Sequence, residues 1–203
     1  MSTRRHYSKL RGAGLLASGL LLPTAVFAHP AIGPAAGFTH GFAHPLGGID
    51  HVLAMIAVGL LAANLGGHAL WALPLAFISL MVVGGARGMA SVPIPYVEVA
   101  VALSVVVFGA AIAAQRQWPL VATTALGGIF ALFHGHAHGT ELAPTVSAGT
   151  FTAGFVLATG LLHLTGIALG LGVAKLGAKP ARLCTQWVGG TIALIGVALL
   201  ATS

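Results

Sequence analysis

The sequence predicts an all-α, polytopic membrane protein, a bundle of six transmembrane helices behind a cleaved signal peptide. Three observations carry this. Of the 203 residues, 57% are hydrophobic and only 6% are charged, too few charges for the surface of a water-soluble domain. Mean hydropathy is +0.97, and apolar runs of about 20 residues, the length that crosses a bilayer, recur between short Gly-, Pro- and polar-rich turns. The first 28 residues follow a different pattern from all of these.

That segment has Arg4, Arg5, Lys9 and Arg11, then a short apolar run from Leu15 to Leu22, then Pro23 and the small-residue exit Val26-Phe27-Ala28. It reads as a secretory signal peptide, residues 1–28, cleaved after Ala28. Residues 29–203 then form one membrane domain. Four of the nine basic residues leave with the signal peptide, so the high isoelectric point reflects targeting, and no nucleic-acid partner is implied.

After His29-Pro30, the Gly-, Pro- and Ala-rich stretch to Thr39 has no hydrophobic period and reads as an extended, exposed loop. The spans are expected at about 45–64, 69–85, 95–114, 118–138, 149–174 and 184–201. Pro45 and Pro119 suit first helical positions, and Trp118 suits the membrane interface. Signal cleavage puts the mature N-terminus outside, and Arg116, Lys175, Lys179 and Arg182 then fall on the cytoplasmic side with only Arg87 outside, as the positive-inside rule requires. The expected location is the bacterial inner membrane, multi-pass, with both mature termini periplasmic. Small residues at Gly127-Gly128, Gly166 with Gly170, and Gly189-Gly190 read as close helix packing.

The polar residues are few and concentrated. Cys184 is the one cysteine, so there is no thiolate cluster for zinc or iron–sulfur chemistry. The chain has three acids, Asp50, Glu98 and Glu141, each in or beside an apolar helix and all predicted at one depth near the outer side. In the segment HGFAHPLGGIDH, His40, His44 and His51 would share one helical stripe with Asp50 a third of a turn away. Pro45 leaves a second placement open, with His40 and His44 in the lead-in turn. In FHGHAHGTE, His134, His138 and Glu141 are spaced four and three apart and share a face, as helical metal motifs do. His136 points to the other side and reads as a packing imidazole. His163 lies mid-span, placed either to join a metal route or to bond a backbone carbonyl. Charged groups inside a bilayer cost roughly 2.5 kcal/mol or more, so a cluster of them marks an ion or substrate pathway. Imidazole and carboxylate ligands suit a borderline divalent metal such as nickel, cobalt, zinc or iron.

HPLGGIDH followed by VLAMIAVGL, together with FHGHAHGTE in the fourth span, resembles the two hallmark motifs of the HupE/UreJ family of nickel permeases, associated with hydrogenase and urease maturation. The resemblance covers essentially the whole chain. It implies Ni²⁺ as the transported substrate, no prosthetic group, and metal residues at His44, Asp50, His51, His134, His138 and Glu141. Glu98 is similar in placement to an acidic residue of the family, and geometry puts it beside Asp50, bridged through a metal to an imidazole. His40, His163 and His29 are weaker candidates, His29 as a residue that feeds metal to the site.

The function expected is therefore facilitated uptake of a hydrated divalent cation, not an enzyme activity. No phosphate-binding loop of the form G-x-x-x-x-G-K-[ST] occurs, so the membrane potential is the expected drive. The alternative from another class is an intramembrane metal-dependent hydrolase using the same ligands, with Glu98 as general base. A third is an assembly partner of a metalloenzyme, disfavoured by the short loops.

Overall fold

The computed structural model describes residues 34–143 and 145–203; the signal-peptide segment and His29 lie outside the described residues. Those residues are all helical apart from short connections. The elements are α1 (Pro34–Ala43), a 3₁₀ turn (His44–Leu46), α2 (Ile49–Leu65), α3 (Ala69–Met89), α4 (Val97–Ala114), α5 (Leu120–Thr140), α6 (Ala148–Ala174) and α7 (Ala178–Leu200).

Among the described residues, α3 to α7 are each long and apolar enough to cross a membrane. The sixth span exists only if Ala36–Leu46 and Ile49–Leu65 are taken together, and these two meet at 80°. The expected continuous first span is thus corrected to a broken one. Pro45 sits at the start of the 3₁₀ turn, and Gly48 caps α2 with extended backbone, φ −107° and ψ 124°. A Cβ on Gly48 would run into Asp50 Oδ1, so glycine there leaves room for the carboxylate to fold back beside the turn. α2 alone has 17 residues, about 25 Å of helix, shorter than the roughly 30 Å hydrocarbon core.

A second correction concerns residues 34–39. They read as an extended loop because of their glycines and proline, yet Pro34–Ala43 is a helix packed on α6. A side chain on Gly41 would run into the Phe151 backbone, and one on Gly154 into the Phe38 carbonyl. These glycines are contact points between helices, and a hydropathy or turn reading cannot tell the two uses apart.

The same device closes the other pairs. Lipid tails are as apolar as leucine, so close backbone approach and van der Waals contact must hold membrane helices together. Gly59 of α2 meets Gly166 of α6, Gly135 and Gly139 of α5 meet Met81 and Gly85 of α3, and Gly109 of α4 meets Gly189 of α7. Phe77, Met81, Phe108, Met55, Val58 and Ile112 fill the centre. Trp71, Leu75, Val121, Leu164, Trp187 and Leu194 stay exposed on the outside, as a lipid-facing belt would.

One end of the bundle collects the breaks and the acids. The starts of α2 and α4 carry Asp50 and Glu98 in their first turns, and the end of α5 carries Glu141. The opposite end carries Arg116, Lys175, Lys179 and Arg182, and a cleft of about 290 Å³ opens there beside Asn64, Gln115, Arg116, Arg182 and Thr185.

Candidate metal pathway

The break before α2 turns the 3₁₀ segment across the end of α5, so residues 97 apart in sequence meet. The His44 Nε2–H donates to Glu141 Oε2 at 2.8 Å. The His44 ring stands edge-on to His138, centroids 4.6 Å apart. His138 lies 4.0 Å from the His51 ring, and His51 lies 4.6 Å from His134. Four imidazoles from three elements therefore form an unbroken file. From mouth to depth the side chains are 58% exposed at Glu141, 20% at His44, and 7% and 9% at His138 and His51, and His134 is fully buried. The file leads from the surface into the bundle.

Phe151 and Phe155 of α6 wall one side of it, with Phe155 4.4 Å from the His138 ring and Phe151 5.4 Å from His44. His40, on the exposed side of α1, touches both His44 and Phe151 at 5.6 and 5.5 Å. It flanks the mouth of the file. The three-imidazole stripe on one helix does not form, because the chain bends between His44 and His51. The two residues converge on His138 through that bend.

Asp50 is not a free ligand. Its Oδ1 accepts the His51 backbone N–H at 2.8 Å and lies 3.0 Å from the His51 ring nitrogen Nδ1. With the proton on Nδ1, donated to the carboxylate, His51 keeps a bare Nε2, which is buried without a partner. His138 has both ring nitrogens buried without a hydrogen bond, its Nδ1 3.9 Å from Glu141 Oε2, and His134 has a buried Nδ1 without one. Buried polar atoms are nearly always satisfied, so orphaned nitrogens on three adjoining imidazoles point to a ligand that completes them.

Among the described residues, His44, His138 and Glu141 can each offer one ligand atom with all of them within 4.8 Å of one another. Two nitrogens and one oxygen at that spacing suit a borderline divalent cation that keeps part of its water shell.

Two sequence candidates lie elsewhere. Glu98 is exposed in the first turn of α4 and has no hydrogen bond or ion pair among the described residues. No contact among the described residues joins it to an imidazole of the file, and Tyr96, left-handed at φ 59°, places the start of α4 at Val97. Glu98 therefore stays at the helix mouth, where a carboxylate complements the helix dipole. His163 is 1% exposed with both ring nitrogens unpartnered. Its ring lies 5.4 Å from Phe77, which in turn lies 5.8 Å from His134, so it sits one aromatic ring beyond the file. His136, buried on the other side of α5, donates from Nε2 to the Val92 carbonyl at 2.7 Å and ties down the α3–α4 connection.

The residue that α4 does bring to the file is Ser104, fully buried, whose Oγ lies 2.8 Å from His134 Nε2. A lone serine in the apolar run VALSVVV carries no motif, and helical depth counted from the mouth of α4 was the one signal that could have found it.

Comparisons with known proteins identify the family. The family described as HupE / UreJ protein matches residues 16–199. The protein named HupE from Rhizobium leguminosarum bv. viciae is 44% identical over 184 residues, covering 90% of this chain and 94% of that protein. No solved structure matches the chain. A match across nearly the whole length, motifs and spans included, leaves a single assignment: the chain belongs to the HupE/UreJ family.

Proposed function

We propose that the chain is a permease that takes up divalent nickel, with cobalt its nearest competitor, through the file of imidazoles, and so supplies metal for hydrogenase or urease maturation. The observation that carries this reading is the continuity of the file, from the exposed Glu141 through His44, His138 and His51 to the fully buried His134. A catalytic centre needs one fixed metal position. A graded series of neighbouring ligands instead offers a cation successive partners, each weak enough to release it to the next.

In this reading a hydrated cation is drawn to the end that carries all three acids, since the field there is the favourable one. Glu141, His44 and His138 replace part of its water shell. Where His44 binds through Nε2, the proton it shares with Glu141 passes to its own Nδ1 or to water as the cation arrives, because a nitrogen binds metal only through a bare lone pair. The cation then passes to the bare Nε2 of His51 and on to His134. His51 is kept in the right tautomer by Asp50, whose charge also offsets that of the passing ion. With the basic end of the bundle in the cytoplasm, as the positive-inside rule places it, the acid-bearing end faces the periplasm of the inner membrane. A potential of 100 mV supplies about 4.6 kcal/mol for a divalent ion.

Purified protein in liposomes, given ⁶³Ni²⁺ outside and a potassium-diffusion potential negative inside, should accumulate label, with cobalt competing better than magnesium. Accumulation no faster than in empty liposomes would refute the proposal.

A further inference from the structure

Ser104 makes two contacts with one hydroxyl proton. Its Oγ lies 2.6 Å from the Val101 carbonyl oxygen and 2.8 Å from His134 Nε2. Two oxygens 2.6 Å apart need a proton between them, so the hydroxyl donates to Val101, the back-bond that a helical serine ordinarily makes. The proton in the second contact must then come from the imidazole: His134 Nε2–H donates and Ser104 Oγ accepts. A neutral imidazole has a single ring proton. Its other nitrogen, Nδ1, is left as a bare lone pair, and that is the atom of His134 that is buried without a partner.

We propose that Ser104 is a positioning residue of the metal pathway: by holding the proton on His134 Nε2 it fixes the ring and directs the Nδ1 lone pair to the cation. The proposal rests on the transport reading above for its use, but not for its geometry. His51 and His134 are prepared in the same way by opposite means. A carboxylate holds the proton of His51 on Nδ1 and frees Nε2; a hydroxyl holds the proton of His134 on Nε2 and frees Nδ1. The neutral hydroxyl suits the deeper position, since a second carboxylate there would bind the cation too firmly to release it. Ser104, Val101 and His134 are all fully buried, so no water competes for the proton.

The test is the ring ¹⁵N spectrum of histidine-labelled protein in lipid, with His134 assigned by its loss in His134→Gln. Wild type should show the proton on Nε2 and an unprotonated Nδ1. Ser104→Ala should leave the two tautomers mixed and raise KM for ⁶³Ni²⁺ uptake by about tenfold, the size of effect seen when outer partners of metal ligands are removed. Ser104→Thr, which keeps the hydroxyl, should restore both. A wild-type His134 protonated on Nδ1 would overturn the proposal, as would a Ser104→Ala protein with unchanged tautomer and KM. If Ser104→Ala fails to assemble, the wild-type spectrum decides alone. Wild type that shows the Nε2 tautomer but carries no nickel would refute the transport reading and leave the geometry of Ser104 intact.

Discussion

Asp50 Oδ1 accepts two bonds from the residue that follows it, the His51 backbone N–H at 2.8 Å and the ring Nδ1–H at 3.0 Å. One oxygen thus fixes both where the imidazole points and which nitrogen is bare. In Asp50→Asn the amide oxygen can still accept, but the negative charge is gone. Uptake should fall by about tenfold or more while the protein stays folded, as expected when the charged partner of a ligating histidine is neutralised. Near-normal rates in a well-expressed Asp50→Asn protein would remove the carboxylate from the mechanism.

Glu98 is the opposite case. It is exposed at the helix mouth and pairs with nothing among the described residues. Glu98→Gln should transport within about twofold of wild type, since a single exposed charge at a helix N-terminus contributes only about 0.3–1 kcal/mol. A loss of an order of magnitude in liposome uptake would put the carboxylate back on the route.

His136 binds a carbonyl in the α3–α4 connection and faces away from the file. His136→Ala should leave uptake per folded molecule unchanged and reduce stability by about 0.5–1.5 kcal/mol, the net worth of a hydrogen bond to a carbonyl on the exposed Val92. Thermal unfolding in detergent and ⁶³Ni²⁺ uptake separate the two effects. Lost transport at unchanged Tm would assign His136 to the pathway.

Gly59 and Gly190 test the packing account. A Cβ on Gly59 would strike the His163 carbonyl and the Gly166 backbone, whereas Gly190 has open space around it. Gly59→Ala should destabilise by about 1–3 kcal/mol or prevent assembly, the range for overpacking. Gly190→Ala should be neutral or slightly stabilising, gaining up to about 1 kcal/mol of helix propensity. Equal melting temperatures for the two variants would contradict the close contact of α2 and α6.

The spans were legible because apolar length is a strong signal, and the α3, α5 and α6 boundaries lie close to those read from composition. The residues that escaped did so for local reasons. Pro34–Ala43 looked like a loop because glycines used for helix contact have the same composition as glycines used for turns. The start of α7 at Ala178 was hidden by Lys179 and Pro180, which read as a connection although proline is tolerated in a first helical turn. The grouping of His134, His138 and Glu141 on one face followed from spacing. The meeting of His44 with Glu141 did not, since it depends on an 80° bend that spacing cannot express. The start of α4 falls two residues later than Pro95, at Val97, because Tyr96 is left-handed, a conformation that composition does not signal.

His138 is the imidazole on which the whole reading converges, since it touches His44, His51 and Phe155, lies 3.9 Å from Glu141, and has no hydrogen-bond partner on either nitrogen. The most direct measurement is the initial rate of ⁶³Ni²⁺ uptake into liposomes under an inside-negative potential, wild type against His138→Ala at equal amounts of folded protein. If the file carries the cation, wild type accumulates label and His138→Ala falls to the rate of empty liposomes. If both proteins transport equally, the imidazole file is not the path.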